Sequence, residues 1–172
     1  MTAEGHSKIS KTMVILAWLG FLLMLVVGFD RYLEKQSRPN SRLDNVANPS
    51  GLQTVSLLQN RQGHYFVEGK INDQWVSFIV DTGATSLSVP ASVADRLGLK
   101  KGFPEKTRTA NGVITVYRVI LDSVRVGSIE LNKVVAHINP HMPGDDVLLG
   151  MSFLKHLDMT QKNNELTLTL TR

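Results

Sequence analysis

No cysteine occurs anywhere in the 172 residues, so disulfide staples and thiolate metal ligation are excluded, and the redox compartment cannot be read from the chain. Aromatic residues are scarce at 6%. Charge of one sign is missing too. The formal net charge of +4 divides evenly, with 6 Lys/Arg against 4 Asp/Glu in residues 1–50 and 13 against 11 in residues 51–172. The local cluster Lys100, Lys101, Lys106 and Arg108 therefore reads as a solvated face, and no nucleic-acid partner is expected. A Gly-rich phosphate loop is absent, and Ser86, Ser88 and Ser152 lack a Gly-x-Ser-x-Gly setting, which argues against a serine nucleophile. The five histidines, His6, His64, His137, His141 and His156, show no metal-ligand spacing. His137 and His141 stand astride Pro140 in an expected loop, so no metal and no cofactor is anticipated.

Long apolar runs are confined to one place. Thr12 to Phe29 is eighteen residues without a charge, ended by Asp30-Arg31; at 1.5 Å per residue it covers about 27 Å, close to a hydrocarbon core. We read residues 12–29 as a single transmembrane helix preceded by a short tail, 1–11. A cleaved signal peptide is the rival; the apolar run is long for one, and Val26-Val27-Gly28 is a weak cleavage candidate. Lys8 and Lys11 precede the run, whereas Arg31, Lys35, Arg38 and Arg42 follow it. Counting basic residues thus opposes an N-in arrangement, although large following domains translocate despite such charges. Residues 30–51 read as a linker, with Pro39, Pro49 and several Asn and Ser. What remains, residues 52–172, is enough for one domain of about 120 residues.

From Thr54 onward the apolar period is mostly two. Strands are expected at Thr54–Leu58, His64–Lys70, Trp75–Val80 and Thr85–Val89, with Asn72-Asp73 as a turn. Pro90 opens a short helix, Ala91–Leu97, closed by Gly98. Thr107–Ala110 and Val113–Tyr117 flank Asn111-Gly112, a dipeptide suited to a type I′ hairpin. Further strands are expected at Val119–Val126, Asn132–Ile138, Val147–Leu149, Asp158–Gln161 and Glu165–Leu170, and a helix at Ser152–Leu157. Many short strands, frequent turns and two brief helices indicate a mostly β domain.

The stretch that carries chemistry is Trp75-Val76-Ser77-Phe78-Ile79-Val80-Asp81-Thr82-Gly83-Ala84-Thr85-Ser86. An apolar strand delivers one carboxylate to its end, where the chain turns on Gly83 without Cβ strain. By itself Asp-Thr-Gly fits a strand capped by an Asx-type turn. Sixty-six residues after Asp81, however, a second apolar strand ends in Gly: Val147-Leu148-Leu149-Gly150-Met151-Ser152-Phe153-Leu154.

Phe78-Ile79-Val80-Asp81-Thr82-Gly83-Ala84-Thr85, Leu97-Gly98-Leu99, Thr109-Ala110-Asn111-Gly112 and the Leu148–Leu154 stretch together resemble bacterial membrane-anchored aspartyl proteases of the retropepsin type, over roughly residues 52 to 170. The resemblance implies a closed β-barrel lobe with one or two short helices behind the N-terminal transmembrane helix. It implies an aspartic endopeptidase with Asp81 catalytic, Thr82, Gly83, Ala84 and Thr85 forming the active-site loop, and Leu148, Leu149 and Gly150 supporting that loop. Ala110, Asn111, Gly112 and Val113 would form a flap over the substrate. It also implies a domain outside the cytoplasm, held at the inner membrane.

Amide hydrolysis by carboxylates needs two of them sharing a proton. This chain has a single Asp-Thr-Gly; Asp145-Asp146 lies in a Pro/Gly loop and Asp158-Met159-Thr160 lacks the Gly. A protease built on it must therefore be a homodimer, each subunit giving one Asp81 to a peptide or protein substrate. Ala84 offers the carboxylate no hydroxyl, so a working optimum at mildly acidic pH is expected. The strictly alternating Glu165–Leu170 is expected to contribute to the dimer sheet. Two other readings stay open: a catalytically silent module of the same fold serving in binding or assembly, and an unrelated small barrel with a chance Asp-Thr-Gly.

Overall fold

The computed structural model describes residues 11–40, 53–109 and 112–171. The expected tail up to residue 10, linker residues 41–52 and the hairpin-tip residues Ala110 and Asn111 lie outside the described residues. The chain divides into two compact units, Met1–Ser37 and Arg38–Arg172.

Within the first unit, helix α1 runs from Lys11 to Ser37. Its 23-residue stretch Lys11–Leu33 is long and apolar enough to cross a membrane, and none of its apolar window is buried. Trp18 and Phe21, three residues apart on one face, meet edge to face at 5.9 Å between ring centroids. The helix continues past the apolar run because nothing breaks it before Pro39, which restrains the residue ahead of it away from helical backbone.

The second unit is mostly β. Its strands are β1 (Thr54–Leu58), β2 (Phe66–Ile71), β3 (Gln74–Val80), β4 (Leu87–Pro90), β5 (Pro104–Thr109), β6 (Gly112–Val126), β7 (Ile129–Asn139), β8 (Asp146–Leu149), β9 (Leu157–Lys162) and β10 (Glu165–Leu170). Two short helices, α2 (Ala91–Arg96) and α3 (Met151–Leu154), follow β4 and β8. Strands β2-β3-β8-β4-β7-β6 form a sheet that closes on itself where β6 returns to β2, giving a six-stranded barrel with β5 attached to the outer part of β6.

Local chemistry explains the path. Asn72 and Asp73 both take left-handed backbone, φ 47° and 63°, and turn β2 into β3 with Ile71 opposite Gln74, as expected of a two-residue I′ hairpin. The seam pairs Gly69, Lys70 and Ile71 with Val126, Arg125 and Val124. A Cβ at Gly69 would strike the Arg125 carbonyl and lie 2.8 Å from the Phe78 ring, so only glycine lets the barrel shut there. The interior is filled by Ile71, Phe78, Leu87, Leu121, Ile129, Ile138, Leu149, Phe153 and Leu154, all fully buried; each such side chain contributes about 1.5–3 kcal/mol of transfer free energy.

Three readings of the sequence are corrected. First, Val113–Tyr117 and Val119–Val126 are one 15-residue strand: Arg118 offers no turn chemistry, and β6 instead changes partners along its length, from β5 to β7 and β2. Second, the helix expected over Ser152–Leu157 is the four-residue Met151–Leu154, because Leu157 is taken up in β9 opposite Leu170. Third, β10 lies between β1 and β9 in a separate three-stranded sheet. Both of its edges are filled within the chain, so Glu165–Leu170 has no edge left for a strand from another subunit.

Residues just beyond Ser37 belong to the barrel unit. Asn40 is buried. Its amide nitrogen donates to the carbonyls of Leu58 and Phe66, each at 2.8 Å, and its Oδ1 accepts from the Leu58 N–H at 2.7 Å.

Candidate active site

β3 and β8 run parallel, Ile79 beside Leu148 and Val80 beside Leu149. Fully buried Phe78 and Val147 hold the pair to the core. The ladder ends at the carboxylate: the Asp81 N–H donates to the Leu149 carbonyl at 3.2 Å. The chain then turns, with the Gly83 N–H donating to Asp81 Oδ1 at 2.9 Å and the Ala84 N–H to the Asp81 carbonyl at 3.3 Å. Asp81 and Ala84 are half-buried, whereas Thr82, Gly83 and Thr85 are exposed. A carboxylate partly desolvated, oriented by a backbone donor and open on one side can receive a water or a second carboxylate.

The supporting strand locks the loop from below. The Ala84 carbonyl accepts from the Met151 N–H at 2.8 Å. At Gly150 a Cβ would collide with the Ser86 carbonyl and stand 2.7 Å from that of Ala84. Asp81, Thr82, Gly83, Ala84 and Thr85 are thus brought together with Leu148, Leu149 and Gly150 as one construction. Ser152 adds a contact that sequence reasoning missed, its Oγ accepting from the Leu87 N–H at 2.9 Å.

β5 and β6 form the hairpin expected as a flap. Thr109 pairs with Gly112 and Arg108 with Val113, so Gly112 closes the ladder instead of occupying the turn centre, one position away from the expected register. Thr109 Oγ1 donates to the Gly112 carbonyl at 3.0 Å, and Val113 is exposed.

A polar chain links loop and hairpin. Ser86 Oγ lies 2.6 Å from His137 Nδ1, and His137 Nε2 lies 2.9 Å from Glu105 Oε2. Arg118 Nη1 stands 3.9 Å from the other oxygen of Glu105. His137, within the strand expected at Asn132–Ile138, is inside β7 opposite Arg118. No sequence signal announces this trio, since its members are separated by 51 and 32 positions.

At the opposite end of the same two strands, Arg38 donates to Ser77 Oγ at 2.9 Å and spans both Asp146 oxygens at 3.0 and 3.2 Å. Its guanidinium also lies 3.9 Å from Glu68 and 5.6 Å from the Phe66 ring centre. Burial raises the Glu68 carboxyl above its ordinary 4.5; Arg38 opposes this, Asp146 reinforces it, and a hydrogen bond with Ser77 opposes it.

With the geometry in place, comparison with known proteins is informative. Residues 67–156 match the family model described as gag-polyprotein putative aspartyl protease. A crystal structure of a retropepsin-like aspartic protease from Rickettsia conorii is similar, with a TM-score of 0.61 and 27% identity, covering 69% of this chain and 92% of that one. An uncharacterized protein in the cobV 5′ region of a Sinorhizobium species is 29% identical over 162 residues, 88% of this chain and 70% of its own length. An uncharacterized protein of Rickettsia prowazekii (strain Madrid E) is 30% identical over 105 residues, 59% of this chain; the chain spans only 44% of that relative's length.

Proposed function

Because this chain belongs to the gag-polyprotein aspartyl protease family and has the retropepsin-like fold, we propose that it is an aspartic endopeptidase whose dyad is Asp81 from each of two identical subunits. The observation that carries the reading is the seat of Asp81, a half-buried carboxylate at the end of a core strand, fixed by Leu149 and Gly83 and open beside an exposed loop.

Two such loops facing across a twofold axis place two carboxylates close together, where both cannot carry charge at once. One carboxylate takes a proton from water as the water attacks the scissile carbonyl; the protonated partner supports the developing alcohol of the tetrahedral intermediate. The proton then passes to the leaving amine. This dyad logic is general to aspartic proteases. In this chain Thr82 braces the two loops, Gly83 lets the peptide backbone approach, and Ala84, Thr85 and Ser86 line the cleft. The β5–β6 hairpin, with Ala110, Asn111, Gly112 and Val113 at its end, closes over the peptide and excludes water. Residues 12–29 anchor the enzyme in the inner membrane, with the barrel on the extracytoplasmic side. No metal or cofactor takes part.

The test compares wild type with Asp81→Asn on a mixed peptide library. Wild type is expected to cleave, and the variant to lose on the order of a thousandfold or more of kcat/KM. Equal inertness of both proteins as verified dimers would instead support a silent binding or assembly module of the same fold.

A further inference from the structure

Arg38 is the first residue of the barrel unit, held there by its bonds to Ser77 and Asp146. The apolar stretch of α1 ends at Leu33. Five residues lead from one position to the other, at most about 18 Å of fully extended chain. With the apolar stretch across a bilayer, that tether keeps the barrel face bearing Arg38 close to the headgroup zone, about 5–7 Å deep on each side.

Strand alternation gives the composition of that face. Val67, Val76 and Phe78 are buried in the core, so Phe66, Glu68 and Lys70 on β2 and Trp75, Ser77 and Ile79 on β3 point outward. They stand in cross-strand pairs: Phe66 with Ile79, Glu68 with Ser77, Lys70 with Trp75. Arg38 lies over the first two pairs, through the Phe66 ring, Glu68 and Ser77. The third pair is next along the strands, about 7 Å from Ser77, and it lies open.

Trp75 is 63% exposed, an unusual state for so large an apolar ring. Lys70 Nζ sits 5.1 Å from its ring centre. Among the described residues Lys70 has no carboxylate within ion-pair range. Its neighbours' charges are accounted for: Glu68 and Asp146 face Arg38, and Arg125, beside Lys70 at the seam, faces Glu130. Asp73, at the hairpin tip, is the carboxylate that opposes an anionic surface. An indole with one N–H donor beside an ammonium suits the zone where acyl chains meet carbonyls and phosphates.

We propose that the outer face of the β2–β3 hairpin rests on the bilayer, with Trp75 seated among phospholipid headgroups and Lys70 on a lipid phosphate. The inference rests on the reading of residues 12–29 as a membrane anchor and adds to it the face on which the barrel lies. The tether holds lipid at high local concentration, so one aromatic ring and one cation suffice for a contact that neither would sustain from free solution.

The chain has two tryptophans, Trp18 and Trp75, one in each unit. The full chain is placed in vesicles of phosphatidylcholine and phosphatidylglycerol, roughly three to one so that the surface is anionic. The lipids carry bromine either high or deep in the acyl chains, and bromine quenches indole fluorescence at close range. Trp75→Phe leaves Trp18 to report on the anchor, and Trp18→Phe leaves Trp75 to report on the barrel. Trp18 is expected to be quenched most by deep bromine, and Trp75 by high bromine. Lys70→Gln added to Trp18→Phe should lower the ratio of docked to undocked barrel about fivefold, the effect of one cation at an anionic surface. Phe103, 85% exposed in the loop between α2 and β5, supplies the comparison. Phe103→Trp in a chain lacking both native tryptophans should be quenched less than Trp75.

Equal urea midpoints in micelles show that the variants are folded. Trp18 quenched and Trp75 unquenched, or Trp75 quenched less than the indole of Phe103→Trp, overturns the proposal alone. Quenching of Trp75 that is unchanged in Lys70→Gln overturns the part given to the lysine. Trp18 unquenched at either depth overturns the anchor reading and this proposal with it.

Discussion

At the scale of the residue, the candidate site depends on two glycines with different tasks. Gly83 allows its own N–H to reach the Asp81 carboxylate at 2.9 Å. Gly150 allows the supporting strand to pass beneath the Ser86 and Ala84 carbonyls, where a side chain has no space. Both obstacles at Gly150 are backbone, so neither can swing aside. Gly150→Ala is therefore expected to cost about 1–3 kcal/mol of stability, as overpacking does, and to displace Asp81 enough to abolish cleavage. Denaturant unfolding together with peptide turnover checks this; an unchanged midpoint with full turnover would show that the loop is not held as described. The Asp-Thr-Gly loop and the Leu148-Leu149-Gly150 strand were legible in the sequence because each is a contiguous pattern with one physical meaning. Ser86, His137 and Glu105 were not, since nothing local marks residues that meet only when β4, β5 and β7 assemble.

At the scale of the element, β3 and β8 have two chemically distinct ends. One delivers Asp81. The other gathers Arg38, Glu68, Ser77 and Asp146. Glu68 titrates higher in the fold than its ordinary 4.5, chiefly through burial, so the fold favours its neutral form. Its contribution to stability is complete below 4.5 and is lost as pH rises through the raised folded value. Glu68→Gln removes that loss while Arg38 keeps Asp146. The variant should therefore gain stability relative to wild type between about pH 4 and pH 7, measured as the difference in urea midpoints. A difference moving the other way would mean that the Arg38 attraction outweighs burial. Element assignment from sequence failed where tertiary pairing overrides local pattern. Arg118 continues β6 through what looked like a break, and β10, with the alternation of an edge strand, sits between two neighbours.

At the scale of the whole molecule, one chain offers one Asp-Thr-Gly, and the proposed chemistry needs two. Activity should then follow encounter between copies. In detergent, dilution below the dimer dissociation constant should lower specific activity in step with the monomer fraction seen by sedimentation. In vesicles at constant surface density, where the proposed anchor, residues 12–29, would confine both copies to a plane, specific activity should survive the same bulk dilution. Undiminished cleavage by a sedimenting monomer would refute the shared dyad. The long strand β6 has a consequence of another kind. Its first residues build the hairpin and its last residues form the seam with Gly69, Lys70 and Ile71, so one stave of the cask is also the handle of its proposed cover. Substitutions at the seam, far along the chain from any peptide, should be heard at the tip through unbroken backbone. A screen for altered turnover would do well to randomise Val124, Arg125 and Val126 alongside the cleft.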